Sequence, residues 1–167
     1  MAGLRRALSP TVVAAALLAI VIALATVGAL LFVKWENGRA EAKAGPAALA
    51  VARVAVPALV GYNYKTLDAD FTRADKYLTG KFLADYKATT EKTVKDAATR
   101  YKVTVKADVV AAGVIKVDSP SKVTVLVFAD QTVTNTKLKA PRIDRNRVRL
   151  DLRKVDGQWR IAALTPL

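Results

Sequence analysis

The chain has 167 residues, a net charge of +13, and neither cysteine nor histidine. Those absences exclude disulfides, thiol nucleophiles and Ser-His-Asp triads, and they remove most zinc sites and the usual general base near neutral pH. One long apolar run near the N-terminus leaves room beyond it for a single soluble domain, and a charge this positive calls for anionic lipid or an acidic protein partner. Nucleic acid is the other common partner of a basic chain, but no nucleic-acid module is legible and an outward-facing anchor argues against it.

Thr11 to Val33 contains Ala, Val, Leu, Ile, Gly, Thr and one Phe, with no charged or amide side chain. As a helix rising ~1.5 Å per residue it reaches about 34 Å, against a hydrocarbon core of ~30 Å, and a modest tilt absorbs the excess. Arg5 and Arg6 precede it, while Lys34, Trp35, Glu36 and Arg39 follow with an aromatic and charges suited to the headgroup level. A cleaved signal sequence ending near Ala40-Glu41-Ala42 is the competing reading, but its apolar region runs only about 7 to 15 residues. A buried core helix is the third reading, and an apolar run of this length without charge is rarely core. Basic residues on the two sides nearly balance, so orientation follows instead from the long C-terminal segment, which translocates largely regardless of its own charge. The expected layout is a cytoplasmic N-terminus at 1–10, a transmembrane helix at 11–33, a juxtamembrane segment at 34–45 and an extracytoplasmic domain at 46–167, held at the cell inner membrane.

Beyond the span, Glu41 to Val60 places Leu49, Ala52, Val56, Leu59 and Val60 on a broad helical face. Pro46 fits a first turn, and Pro57 is expected to kink or end the helix, leaving Gly61 to close it. A second helix opens at Leu67 with Asp68 as N-cap and repeats through Phe71, Ala74 and Leu78. After a break at Thr79-Gly80, a third runs through Phe82, Leu83, Tyr86 and Thr90 to about Arg100.

The period then changes. Val103, Val105, Ala107 and Val109 alternate with polar residues, a half-buried strand continuing to Ile115. Val117 to Ser121 has the composition of a turn. Lys122 to Val133 is apolar on both faces and reads as a central strand covered on both sides. Arg145 to Val155 alternates again, and Asp156-Gly157 signals a hairpin into Trp159 to Leu164. Helices followed by a four-stranded antiparallel meander make an α+β fold.

This outline is that of an NTF2-like, cystatin-like cone with a curled antiparallel sheet. Several local strings go further: Tyr62-Asn63-Tyr64-Lys65-Thr66-Leu67-Asp68-Ala69-Asp70, Leu78-Thr79-Gly80-Lys81-Phe82, Gly113-Val114, the Val125 to Thr132 run ending Asp130-Gln131-Thr132, Gly157-Gln158-Trp159 and Leu164-Thr165-Pro166. Together they closely resemble the Mce-associated membrane proteins of actinobacteria over essentially the whole chain. The resemblance implies an accessory subunit of the mammalian-cell-entry lipid-import machinery, with the transporter's permease and Mce proteins as partners beside membrane lipid. That family has no agreed catalytic motif, so no active-site residues carry over.

Four groups of residues are candidates for function. Arg145, Arg147, Arg149 and Arg153 share one strand face with Asp151, opposite Val148, Leu150 and Leu152, so they form either a solvated outer face or a docking strip for an acidic subunit or lipid headgroups. Asp68, Asp70, Asp75 and Asp85 with Tyr62, Tyr64 and Tyr86 could supply acid–base groups in a cone, but helix caps and surface pairs account for them more simply. Trp159 is expected to pin the last hairpin in the core. Within the span Ala25, Gly28 and Ala29, with Ala16 and Ala23, are small enough to let another membrane helix approach, although alanine is also ordinary filler there. No catalytic, cofactor or metal residue is assigned, and the chain is read as a non-catalytic subunit. A lipid-binding module with an open apolar pocket in the cone is the alternative, and the filling of that cone separates the two.

Overall fold

The computed structural model describes the backbone of residues 10–167 and the side chains from Ile22 onward. The expected cytoplasmic N-terminus therefore lies outside the described residues apart from the backbone of Pro10, as do the side chains of the first part of the span. The chain divides into two compact units at Arg39 and Ala40.

Helix α1 runs Pro10–Val60. The helix expected to begin at Glu41 has no separate start, because Arg39 through Ala44 are all strong helix formers and carry the helix on despite Asn37, Gly38 and Gly45. Pro46 lies inside the helix rather than in a first turn. Pro57 does mark the end, since the Gly61 amide donates to its carbonyl at 2.9 Å and the helix stops at Val60.

In the first unit Leu24, Leu30, Leu31, Phe32 and Val33 are all more than half exposed. One helix among the described residues, from Ile22 on, is long and apolar enough to cross a membrane. Its one described hydroxyl, that of Thr26, donates back to the carbonyls of Ile22 at 3.0 Å and Ala23 at 2.8 Å, so it needs no water.

In the second unit, a five-stranded antiparallel sheet follows chain order: β1 (Tyr62–Asn63), β2 (Thr104–Ser119), β3 (Lys122–Thr134), β4 (Arg142–Val155) and β5 (Gln158–Pro166). Between β1 and β2 come α2 (Leu67–Asp75), α3 (Gly80–Thr89), a π-helical turn (Thr90–Val94) and α4 (Lys95–Tyr101). Register shifts at Val109/Ala111, Val114/Lys116 and Val117/Ser119 put bulges into the β2–β3 pairing, and bulges bend a strand and sharpen its twist. The sheet's concave face is filled by its own chain. Ala44, Ala48, Ala52, Ala55, Val56 and Leu59 form the buried stripe of α1, and Val123, Val125, Val127, Leu150, Leu152 and Ile161 are fully buried in the same core. Small alanines let the helix lie close to the strands, and the Arg53 guanidinium reaches the Ala112 carbonyl at 3.1 Å.

Four local expectations change. A fifth strand exists, but it is only two residues long and pairs Tyr62 with Val105. Thr66, not Asp68, stands at the N-cap of α2. The third helix is interrupted by the π-helical turn, where the buried Thr90 hydroxyl donates to the carbonyls of Tyr86 at 2.9 Å and Lys87 at 3.1 Å. Strand β2 continues through Ser119, so the β2–β3 turn is the tighter Pro120-Ser121. The Asp156-Gly157 hairpin forms as read, both residues taking positive φ, 50° and 78°.

Candidate functional site

On β4 the alternation of a pleated strand sends Arg145, Arg147, Arg149 and Arg153 outward and leaves Leu150 and Leu152 fully buried on the concave side. The ladder sets Arg145 opposite Asp130, Arg147 opposite Phe128 and Arg149 opposite Leu126. Ile143 faces outward one pleat away, opposite Thr132. Among the described residues none of the four arginines takes part in a salt bridge, whereas Arg142 on the same strand holds Asp144 at 2.8 Å.

The outward side of β3 departs from expectation. The sequence pattern predicts cover on both sides, but among the described residues the outer side is left partly open: Phe128 is 38% exposed, and Ile143, farther along beyond the Asp130–Arg145 rung, is 61% exposed. The outer face thus carries an apolar pair, Leu126 and Phe128, lined by Arg149, Arg147 and Arg145, with Ile143 farther along the strand beyond the Asp130–Arg145 rung. The apolar centre was missed as a site although its signal was present, in the hydrophobic residues at both parities of β3. Aromatic centres with arginine rims are the composition of protein interfaces, where charge at the rim steers and apolar area holds.

The acidic and tyrosine group does not converge. Asp68 pairs with Lys95 at 2.6 Å and Asp85 with Lys81 at 2.5 Å, both on the surface. Asp70 is buried and braces the start of α2: its carboxylate accepts the Thr66 hydroxyl at 2.8 Å and the Asn63 amide at 2.9 Å and pairs with Arg73. Asp75 meets Lys87 at 3.1 Å, with its other oxygen buried and unpartnered. Tyr64 is stacked under Lys65, apart from the other two tyrosines. Tyr62, Phe71 and Tyr86 do form an edge-to-face chain, with centroids 5.8 and 6.3 Å apart. The Tyr86 hydroxyl donates to the Leu59 carbonyl at 3.1 Å. Burial, then the charges of Asp75 and Asp70, push its phenol up to about 12, and burial raises Tyr62 as well. A phenol held this firmly protonated is a poor base or nucleophile near neutral pH.

A surface recess of about 470 Å³ between α2 and the π-helical turn is lined by Phe71, Asp75, Lys87 and Thr90 among others. Trp159 is 8% exposed and belongs to the core, as expected. Ala25, Gly28 and Ala29 lie exposed on α1, and a side chain built at Gly28 would meet nothing within 4 Å.

Comparison with known proteins fits this architecture. The uncharacterized protein Rv1362c of Mycobacterium tuberculosis is 37% identical over 127 residues, 76% of this chain, which spans only 57% of that relative's length. The protein named outer membrane protein Rv1973 of the same species is 32% identical over 136 residues, covering 80% of this chain and 84% of that one. Among solved structures, an IcmL-like type IV secretion system protein of Legionella pneumophila aligns with a TM-score of 0.59 at 18% identity, covering 71% of this chain and 90% of that one. The periplasmic domain of DotI aligns with a TM-score of 0.60 at 16% identity, covering 71% and 91%. At such identities the likeness establishes the fold of the second unit alone, an NTF2-like, cystatin-like cone. A family model described as "Uncharacterized protein Rv1363c/MT1408-like" matches residues 9–165, and the chain belongs to that family.

Proposed function

We propose that this protein is a non-catalytic, single-pass accessory subunit of an Mce-type lipid-import complex in the cell inner membrane, its domain standing outside the cytoplasm and binding the permease or Mce proteins. The observation that carries the reading is the outer face of β3 and β4: a strand patterned for cover on both sides, covered on one, and rimmed by Arg145, Arg147 and Arg149. A partner with an apolar centre and an acidic rim completes that surface. The choice of an Mce system rests on the sequence strings shared with the Mce-associated proteins. The IcmL-like neighbour, a type IV secretion system protein, supports a place in an envelope assembly in general. The filled concave face, with Leu150, Leu152 and Ile161 at 0% exposure, speaks for the scaffold over a lipid carrier. Paired or structural roles for Asp68, Asp70, Asp75 and Asp85 support the absence of catalysis.

The test is purification of the tagged full chain from native membranes, with co-eluting chains identified and the envelope fractionated, since one relative carries an outer-membrane name. Permease and Mce chains should co-elute from the inner membrane, and the combined R145E/R147E/R149E variant should recover roughly tenfold less of them, because like-charge juxtaposition at an interface costs several kcal/mol. Undiminished recovery would refute the docking role of this face.

A further inference from the structure

The arginine stripe is not one surface. Arg145, Arg147 and Arg149 surround the apolar side chains, whereas Arg153 lies beyond Asp151, at the end of the sheet where both hairpins turn. There the register places Lys122 of β3 opposite Arg153 of β4, and Arg153 opposite Arg160 of β5. Neighbouring strands lie ~4.8 Å apart, and like charges set directly across a ladder oppose its pairing. Nearby carboxylates do little to relieve the two arginines. Asp118 is engaged with Lys116 at 2.5 Å and Lys122 at 3.5 Å, and Asp151 accepts the Thr124 hydroxyl at 3.0 Å. Among the described residues neither Arg153 nor Arg160 has a salt-bridge partner, and the Arg160 Nε is buried without a hydrogen bond. A row of cations without carboxylate partners is the electrostatic complement of an anion, which the exposed Arg153 guanidinium can meet directly.

The position of the row favours one source for that anion. At this end of the domain Gly45 of α1 lies against β2, where a side chain on it would meet Val117 at 3.4 Å and Val114 at 3.6 Å, while Gly61 at the helix's far end lies against Val105. The two hairpins are tied together by the Lys154 amide donating to the Ser121 carbonyl at 2.9 Å. They therefore sit at the end of the domain that is nearest in sequence to the span.

We propose that Arg153 and Arg160, flanked by Lys122, bind the phosphate of anionic phospholipid headgroups in the membrane that holds the anchor. Two guanidinium forks on adjacent strands match the several oxygens of a phosphate, and anionic headgroups attract such a row of cations. The proposal rests on α1 being a membrane anchor and is independent of any protein partner on Arg145, Arg147 and Arg149.

The chain has no cysteine, so S121C labels the exposed hairpin tip at a single site in the full protein. Energy transfer from that label to headgroup-labelled lipid is measured in vesicles of phosphatidylcholine with and without phosphatidylglycerol. Transfer should rise when phosphatidylglycerol is present, fall back at high salt, and lose roughly fivefold in lipid affinity for each of R153Q and R160Q. Arg153 is exposed, so R153Q alone decides the matter if R160Q disturbs the fold. Equal transfer in both vesicles, or an R153Q response equal to that of the parent, would overturn the proposal. So would a label that responds to inorganic phosphate in phosphatidylcholine vesicles but not to phosphatidylglycerol. The R145E/R147E/R149E variant should leave the lipid response intact, which separates this site from the protein-docking face.

Discussion

The two faces of β3 and β4 carry similar side chains to different ends. Inward, Val123, Val125, Val127, Leu150 and Leu152 are at 0% exposure in the core with the alanine stripe of α1. Outward, Leu126, Phe128 and Ile143 sit on the same strands at the same pleat spacing, Leu126 half-buried and the other two exposed, with no helix over them among the described residues. Residue type is not what distinguishes them; the presence of a helix is. Apolar area that folding covers stabilises the domain, whereas apolar area that folding leaves bare becomes useful only when another molecule arrives.

The comparison breaks most readily at Leu152 and Phe128. Leu152→Ala leaves a cavity in a packed core and should cost about 3 kcal/mol, read as a lowered midpoint in denaturant unfolding of the detergent-solubilised chain. Phe128→Ala should cost about 1 kcal/mol or less in the isolated protein, because much of its ring is already in solvent. Equal losses at the two positions would mean that the outer face is packed within the chain, and the distinction between faces would disappear.

Much of this frame was legible beforehand because it depends on local periodicity. The long apolar helix, the alternation of β4, the Asp156-Gly157 turn and the buried Trp159 each follow from an apolar run, from side-chain spacing or from one turn's backbone demands. What escaped depends on register or on distant partners. Strand β1 has only two residues and no period of its own; it exists because Tyr62 and Asn63 meet Val105 and Thr104. The π-helical turn is held by the Thr90 hydroxyl, and no sequence pattern announces it. The row of Lys122, Arg153 and Arg160 depends on where the shift at Asp151/Leu152 falls, which no single strand reveals. On β3 the pattern was read correctly as apolar on both faces, but pattern alone does not say whether the second cover lies within the same chain.

The helix layer over the inner face gives a smaller, pH-dependent effect. Tyr86 titrates near 10.0 when unfolded and is pushed up to about 12 when folded, chiefly by burial. Between those values the unfolded chain has lost a proton that the folded chain keeps, so stability present below pH 10 falls as pH rises toward about 12. The ring is only partly buried, so the full effect, after allowance for solvent screening, is roughly 1 kcal/mol. Tyr86→Phe should remove this component. Near neutral pH it should cost about 1 kcal/mol for the lost bond to Leu59, and between pH 10 and 12 its unfolding midpoint should decline less steeply than that of the parent. Parallel declines would show that the phenol is not perturbed by folding.

The smallest effect on stability should come from the residues expected to matter most for association. Arg145, Arg147 and Arg149 are exposed, have no ion-pair partner among the described residues, and stand two apart on one strand face, where like charges repel weakly. The chain already carries a net charge of +13, so reversing one exposed arginine relieves some weak repulsion and breaks no ion pair among the described residues. Arg147→Glu should therefore shift unfolding free energy by no more than about 0.5 kcal/mol in either direction. Circular-dichroism melts at low and high salt check this, and both should stay close to the parent. A large loss would show the Arg147 stem packed over Phe128, so that the arginine covers the apolar centre instead of framing it for a partner, and the reading of an open docking face would fail on that result.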